Sequence, residues 1–226
     1  MSMLSDIELM RLHVKVLFKH NSENRMTVVN EPPYDAAPLI FMGATKDGNV
    51  VRYSNSLDVD IVERMEQVVR TDPTDLVELI KVLSAGCELK NISFGPAYAF
   101  PEIREQTSTK AMKVTYENRE ILKPHFPYTF EDFEYKQPCF VIVEDDRIVS
   151  ICCSARQTSK ADEASAFTHE DYRGKAYGVD VTNAWAKEVQ KQGRIALYST
   201  SWDNFASQSL ARKLHLVQYG TDIHMS

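Results

Sequence analysis

The order of secondary-structure signals between Cys139 and Met225 constrains this chain more than any other feature. "PCFVIVED" and "RIVSICCSAR" flank Asp145-Asp146 as a hairpin, and "DEASAFTH" follows as a third strand after a polar turn. A loop of small residues then opens a helix over about 175–192. The strand "RIALYST", a second helix over about 204–214 and the ending "LVQYGTDIHM" complete the run. Strands followed by strand, helix, strand, helix and strand predict a mixed α/β (α+β) sheet with helices on its faces.

Upstream, Ser5 and Glu8 form a capping box, and Ile7, Met10, Val14 and Leu17 follow at helical spacing. "PLIFMGATKDGNVVRYS" reads as two strands around Asp47-Gly48. Two helices come next, one over about 58–70 and one starting after Pro73-Thr74. "GPAYAFPE" at 95–102 reads as a rigid, Pro-bounded aromatic segment, either a domain boundary or part of a binding wall. After about 105 a helical, aromatic-dotted stretch runs to about 133.

A formal net charge of −6 argues against broad binding to nucleic acid or to an anionic membrane. No 18-residue apolar stretch is present, and the N-terminus has neither the cleavage site nor the uninterrupted apolar run of a signal peptide. The four cysteines form no Cys-x-x-Cys pair, which favours reduced thiols and a cytoplasmic setting. The six histidines show no ligand spacing, so no metal is expected.

The chemistry concentrates in "HEDYRGKAYGVDV", residues 169–181. A turn of small residues at a strand's carboxyl end, opening a helix, aims backbone N–H groups and the positive end of the helix dipole outward, which suits a phosphate. Arg173 and Lys175 add charge at Gly174, Ala176, Tyr177 and Gly178. From these six residues alone, a phosphate cradle and a plain helix start stand equal. Neither a Walker arrangement nor a Gly-x-Gly-x-x-Gly fingerprint is present.

The surroundings separate the two. Hairpin, strand, "YRGKAYG", helix, strand and then "WDNFASQSLARKLHLVQYG" resemble the GNAT superfamily of acyl-CoA-dependent N-acetyltransferases, in particular a subgroup with an N-terminal extension. Arg173 and Gly178 match the outer positions of that family's pyrophosphate loop, and Ala176 replaces the middle Gly. Asn204, Ala206, Ser207, Leu210, Lys213 and Leu214 match its next helix, while His215 and Leu216 stand where Gly and Phe are usual. Ala176 is expected to cost little, on the reasoning that φ is already negative in a helix's first turn.

The resemblance implies a GNAT domain over 101–226 and an acceptor-side α/β extension over 1–100. It implies acetyl-CoA as co-substrate, an amine acceptor as the second partner, and a domain of a kind that often forms homodimers. Acetyl-CoA would lie along strand 162–169 where it splays from "RIALYST", with backbone groups near Phe167 and His169 pairing with the pantetheine arm and the N–H near Thr168 facing the oxyanion. Residues 173–178, Asn204 and Ser207 would complete the cofactor contacts. A Lys-like amine with a pKa of about 10.4 costs roughly 4.6 kcal/mol to deprotonate at pH 7. Glu163 is the candidate base, the alternatives being an ammonium anchor or a solvent-facing edge residue. The family's Tyr acid, seven residues after the Asn, falls on Ala211, so Tyr198 and Ser199 become substitutes. A non-catalytic acyl-CoA-binding or sensor module is the rival reading, and transfer of a longer acyl group a third.

Overall fold

The computed structural model describes residues 4–73, 75–103 and 110–226. Helix α1 (Asp6–Leu17) starts at the expected capping box, where Glu8 Oε2 accepts the Ser5 N–H at 2.8 Å. A ribbon of β1 (Phe18–His20) and β2 (Met26–Val29) follows. The hairpin around Asp47-Gly48 forms as β3 (Ile40–Thr45) and β4 (Gly48–Tyr53). Helices α2 (Val59–Thr71) and α3 (Leu76–Ser84) then pack Ile61, Met65, Leu79 and Leu83 around Ile40 and Met225.

The next segment differs from its sequence reading. Most of "GPAYAFPE" lies in a regular strand, β5 (Ile92–Ala99), in the interior of the main sheet. Pro96 is tolerated there because β10 (Ile195–Ser199) pairs with β5 only from Ala97 to Ala99. Just beyond that ladder, the Pro96 carbonyl accepts the Thr200 N–H at 3.3 Å.

Beyond the short strand β6 (Met112–Val114), helix α4 (Pro127–Glu131) is flanked by 3-10 turns at Arg119–Leu122 and Phe133–Lys136. The helical stretch expected there is thus broken, because Pro124 and Pro127 cannot sit inside one continuous helix. Residues 105–109 of that expectation lie outside the described residues.

The C-terminal order follows the sequence reading: β7 (Cys139–Glu144), β8 (Arg147–Gln157), β9 (Ala161–Thr168), α5 (Tyr177–Lys191), β10, α6 (Phe205–Lys213) and β11 (Val217–Met225). Val181, Trp185 and Val189 form the expected core stripe of α5, each fully buried. Among the described residues the main sheet runs β4-β3-β11-β5-β10-β9-β8-β7-β6. Its β9–β10 pair is parallel and its other pairs are antiparallel. Strands from both sides of residue 100 therefore alternate in one sheet, since β11 lies between β3 and β5.

Two glycines bring α1 onto this sheet. A Cβ at Gly43 would stand 2.3 Å from Met10 Sδ, and one at Gly220 would stand 2.7 Å from Met10 Cε. One turn after Met10, on the same helix face, is His13. Close approach of the helix thus lowers a histidine onto strands β9 and β11.

Candidate active site

Strands β9 and β10 pair through Ile195–Ala161, Ala196–Asp162 and Leu197–Glu163, and then part. The opening leads into a cavity of about 350 Å³, lined among others by Ala164 and Ala166 of β9, Tyr198 and Ser199 of β10, and Asp222 of β11. Strand alternation decides which backbone groups face it. The His169 N–H donates to the Val149 carbonyl at 3.0 Å, so His169 and, by alternation, Phe167 turn their peptide groups toward β8. This corrects the expectation that backbone groups at Phe167 and His169 receive a pantetheine arm. The outward-facing groups belong to Ala164, Ala166 and Thr168. The Phe167 ring is instead half exposed against His169 and Phe126.

Glu163 is buried at 3% exposure, not at a solvent-facing edge. Its Oε1 accepts the Ser199 hydroxyl at 2.6 Å. Its Oε2 is buried without a hydrogen-bond partner, 3.7 Å from His13 Nδ1. His13 is itself fully buried: Nε2 lies 2.7 Å from Asp222 Oδ2, and Nδ1 lies 2.8 Å from the Tyr219 hydroxyl. Burial opposes charge on His13, yet the Asp222 hydrogen bond and the charges of Glu163 and Asp222 outweigh it and raise its pKa. Burial would likewise raise Asp222, but its bond to His13 and that residue's charge hold the carboxyl below its ordinary value.

Glu163 does not line the cavity, whereas Ser199 and Asp222 do. The Ser199 hydroxyl is therefore the link between carboxylate and cavity. The hydroxyl that the sequence offers as a substitute general acid thus has its proton engaged by Glu163. Tyr198 alternates to the other face of the sheet from Ser199, where it packs beside α5 and α6 and borders the cavity next to Ser207. Burial pushes its phenol up to about 12, opposed by a hydrogen bond with Ser207.

The loop after β9 exposes what a phosphate needs. No carbonyl among the described residues takes the N–H groups of Gly174 to Val179, the first free N–H groups leading into α5. Arg173 and Lys175 are exposed beside them, Arg173 in a surface ion pair with Glu170 and Lys175 over the Tyr172 ring. The Tyr177 side chain is buried and donates to Glu144, so only its backbone belongs to the cradle. Gly178 serves contact: a Cβ there would stand 3.1 Å from Thr168 Oγ1.

Ala176 departs from its expectation. It is the N-cap of α5, one residue before the first turn, and holds φ 63° and ψ 6°. The left-handed conformation costs a non-glycine residue about 1–2 kcal/mol, so the substitution is a strained one. The same chemistry recurs at the end of α6. His215 has φ 52°, its N–H donates to Arg212, and the Leu216 N–H donates to Ala211 at 3.0 Å. This is a Schellman closure, and it explains why glycine suits that position.

At the start of α6, the Asn204 side chain accepts the Ser207 N–H at 3.0 Å, so Asn204 is the cap. Asn204 and Ser207 also line the cavity. Ala211 is 1% exposed and packs in the same cluster as Tyr198.

Sequence reasoning did not single out His13, Tyr219 or Asp222. The available signal was His13 within the apolar stripe Met10, Val14 and Leu17, where a polar ring has to be buried and therefore bonded.

Three solved structures of similar fold are distant in sequence. A functionally unknown conserved protein from Staphylococcus epidermidis superposes with a TM-score of 0.56 at 12% identity, covering 95% of both chains. A GCN5-related N-acetyltransferase from Kribbella flavida gives 0.51 at 14% identity, covering 100% of this chain and 96% of that one. A GNAT-family acetyltransferase described as putative, from Novosphingobium aromaticivorans, gives 0.51 at 10% identity over 61% of this chain and 66% of that one. A search of curated proteins finds no match. The family profile described as GNAT acetyltransferase matches residues 49–219, the span that holds the loop, Glu163 and the strand opening, and the chain belongs to the GNAT acetyltransferase family.

Proposed function

We propose that this protein transfers an acetyl group from acetyl-CoA to the primary amine of a small molecule or peptide by direct attack. The observation that carries the reading is the parting of β9 from β10 immediately after Glu163, which opens a cavity onto a carboxylate-bonded serine. A carboxylate at the fork of two strands, with the free amides of 174–179 at the far end of the same strand, supplies both halves of an acyl-transfer site.

The loop residues fit acetyl-CoA. The N–H groups of 174–179, assisted by Arg173 and Lys175, would hold its pyrophosphate, and Ala164, Ala166 and Thr168 would offer their peptide groups to its arm. Charge-assisted bonds of this kind are worth roughly 1.5–3 kcal/mol each. When bound, acetyl-CoA supplies the activated acyl carbonyl.

This chain's residues then manage protons. Ser199 receives a proton from the acceptor ammonium in the cavity as its own passes to Glu163 Oε1, which replaces a solvent-exposed deprotonation with a short buried one. Tyr198, protonated at any working pH, is a donor bordering the cavity for the departing sulfur. The region 1–100 supplies the acceptor side through Ser93 and Phe94.

The deciding experiment is thiol release from acetyl-CoA against a panel of polyamines, aminoglycosides, amino acids and peptides. Release that requires one of these amines supports the transfer. The buried Ala211 in place of the family's acid favours a second reading, an acyl-CoA-binding sensor. Acetyl-CoA binding without release against any amine would select it.

A further inference from the structure

Glu163 Oε2 is a buried carboxylate oxygen that lacks a hydrogen-bond partner, with a histidine 3.7 Å away. A carboxylate in that position is costly unless a cation or donor compensates it. Among the described residues, the titratable donor that faces it is His13 Nδ1. The opposite ring nitrogen, Nε2, is held by Asp222 at 2.7 Å. His13 and Asp222 both lie outside residues 49–219, the span that matches the family.

We propose that His13 and Asp222 form a buried proton store behind Glu163, making His13 a positioning residue for the transfer reaction. The proposal rests on the acetyl-transfer reading above. Neutral His13 keeps its proton on Nε2, bonded to Asp222, and accepts the Tyr219 hydroxyl at Nδ1. Protonated His13 donates from Nε2 to Asp222 and from Nδ1 toward Tyr219 Oη and Glu163 Oε2. The ring therefore has a satisfied arrangement in each protonation state, and the orphaned oxygen of Glu163 is compensated only in the charged one.

The proton balance is simple. An acceptor ammonium N–H bond breaks and, through the Ser199 hydroxyl, an O–H bond forms on Glu163. That O–H bond then breaks and an N–H bond forms at His13 Nδ1, with Asp222 opposing the new positive charge. Glu163 is returned to its ionised state. The proton leaves by the same atoms to water in the cavity once product has gone. No oxidant, reductant or other co-reactant is involved.

Among the described residues, the titratable groups facing His13 are Glu163 from β9 and Asp222 and Tyr219 from β11. Arg156 of β8 acts at longer range and opposes the charge. His224, on β11, sits 3.5 Å from the second Asp222 oxygen, and burial lowers its pKa, leaving it neutral beside the pair. Phe41 and Tyr219 pack against the ring and exclude water.

The test is an NMR titration of the His13 ring in the whole, substrate-free protein, so that its outcome does not depend on turnover. Glu163→Gln and Asp222→Asn each remove a neighbouring anion and are expected to lower the His13 midpoint by about one pH unit or more. Tyr219→Phe removes a donor that favours the neutral ring, and it is expected to raise the midpoint. Shifts in these opposite directions support the store, and a midpoint that ignores Glu163→Gln overturns it.

His13→Gln provides the kinetic arm. It is expected to lower kcat/KM at least tenfold, flatten the acidic limb of the pH profile and leave acetyl-CoA binding intact. An unchanged pH profile in a folded His13→Gln protein overturns the proposal. If no amine is acetylated by any form while the NMR shifts occur as stated, the transfer reading fails and the coupled cluster stands.

Discussion

Ser199 donates to Glu163 at 2.6 Å from a position two residues past Leu197, the last residue of β10 to pair with β9. The hydroxyl therefore stands where the strands have parted, while the carboxylate stands where they still touch. That offset places a hydroxyl between the buried carboxylate and the cavity. Glu163→Gln is expected to lower kcat/KM by roughly 10²–10⁴, the usual contribution of a positioned base, with acetyl-CoA affinity retained. Ser199→Ala is expected to lose less, because a water can occupy the vacated hydroxyl position. Equal turnover in wild type and Glu163→Gln, measured by thiol release, would remove Glu163 from the mechanism.

Tyr198 stands on the cavity wall with its phenol pushed up to about 12 by burial. Tyr198→Phe is expected to reduce kcat by about tenfold to a hundredfold with little change in KM for acetyl-CoA, as for loss of a general acid. Unchanged kcat would mean that the thiolate leaves unaided, a tolerable outcome for a thiol with a pKa of about 8.5.

Ala176 and His215 each occupy a left-handed backbone conformation, with φ of 63° and 52°. Ala176→Gly and His215→Gly should each stabilise the fold by about 1 kcal/mol, since relief of strain exceeds the added freedom of the unfolded chain. Thermal melts of the single variants measure this. A lower melting temperature for Ala176→Gly would show that its strain had been overstated.

The raised pKa of His13 fixes the sign of one pH effect. A base whose folded pKa exceeds its unfolded value of about 6.5 stabilises the protein fully below that value, and the contribution fades as pH rises through the folded pKa. The stability difference between wild type and His13→Gln should therefore shrink as pH climbs above about 6.5. Denaturant midpoints of both proteins at pH 6 and pH 9 give the comparison. A difference that widens toward pH 9 would contradict the assignment.

Gly95 passes directly beneath the chain after β10, and a Cβ there would stand 1.8 Å from the Thr200 carbonyl oxygen and 2.7 Å from Ser201 Cα. Because backbone cannot yield as a side-chain tip can, Gly95→Ala should cost at least about 1–3 kcal/mol. It should also move Thr200 and Ser201, two residues of the cavity wall. Urea denaturation and acceptor KM report the two effects.

The C-terminal elements were legible because their signals are local. Hairpin turns at Asp145-Asp146, the spacing of Val181, Trp185 and Val189, and the capping Asn204 each act within a few residues of themselves. Segments whose conformation is set by distant neighbours were not. "GPAYAFPE" looked like punctuation because its Pro and Gly residues usually are; only β10 and β11 on either side make it a strand. Ala176 looked unstrained because a shift of one residue in the helix boundary changes the sign of its φ. The loop and Glu163 could be named from motif order, whereas their partners could not. His13, Tyr219 and Asp222 meet Glu163 only through the sheet's long-range order, and no spacing in the sequence announces that meeting.

That long-range order has a further consequence. β11 slots between β3 and β5, so a chain lacking Val217–Met225 would present two parallel-running vacant edges separated by the width of one strand. Such a groove is a receptor for the missing nonapeptide, by the same main-chain pairing that extended ligands use on open sheets. The strand that fills it carries Tyr219 and Asp222. Strand complementation with a synthetic peptide would thus restore the fold and deliver two members of the proton cluster in one step, making individual atoms of the site exchangeable by chemistry instead of mutation.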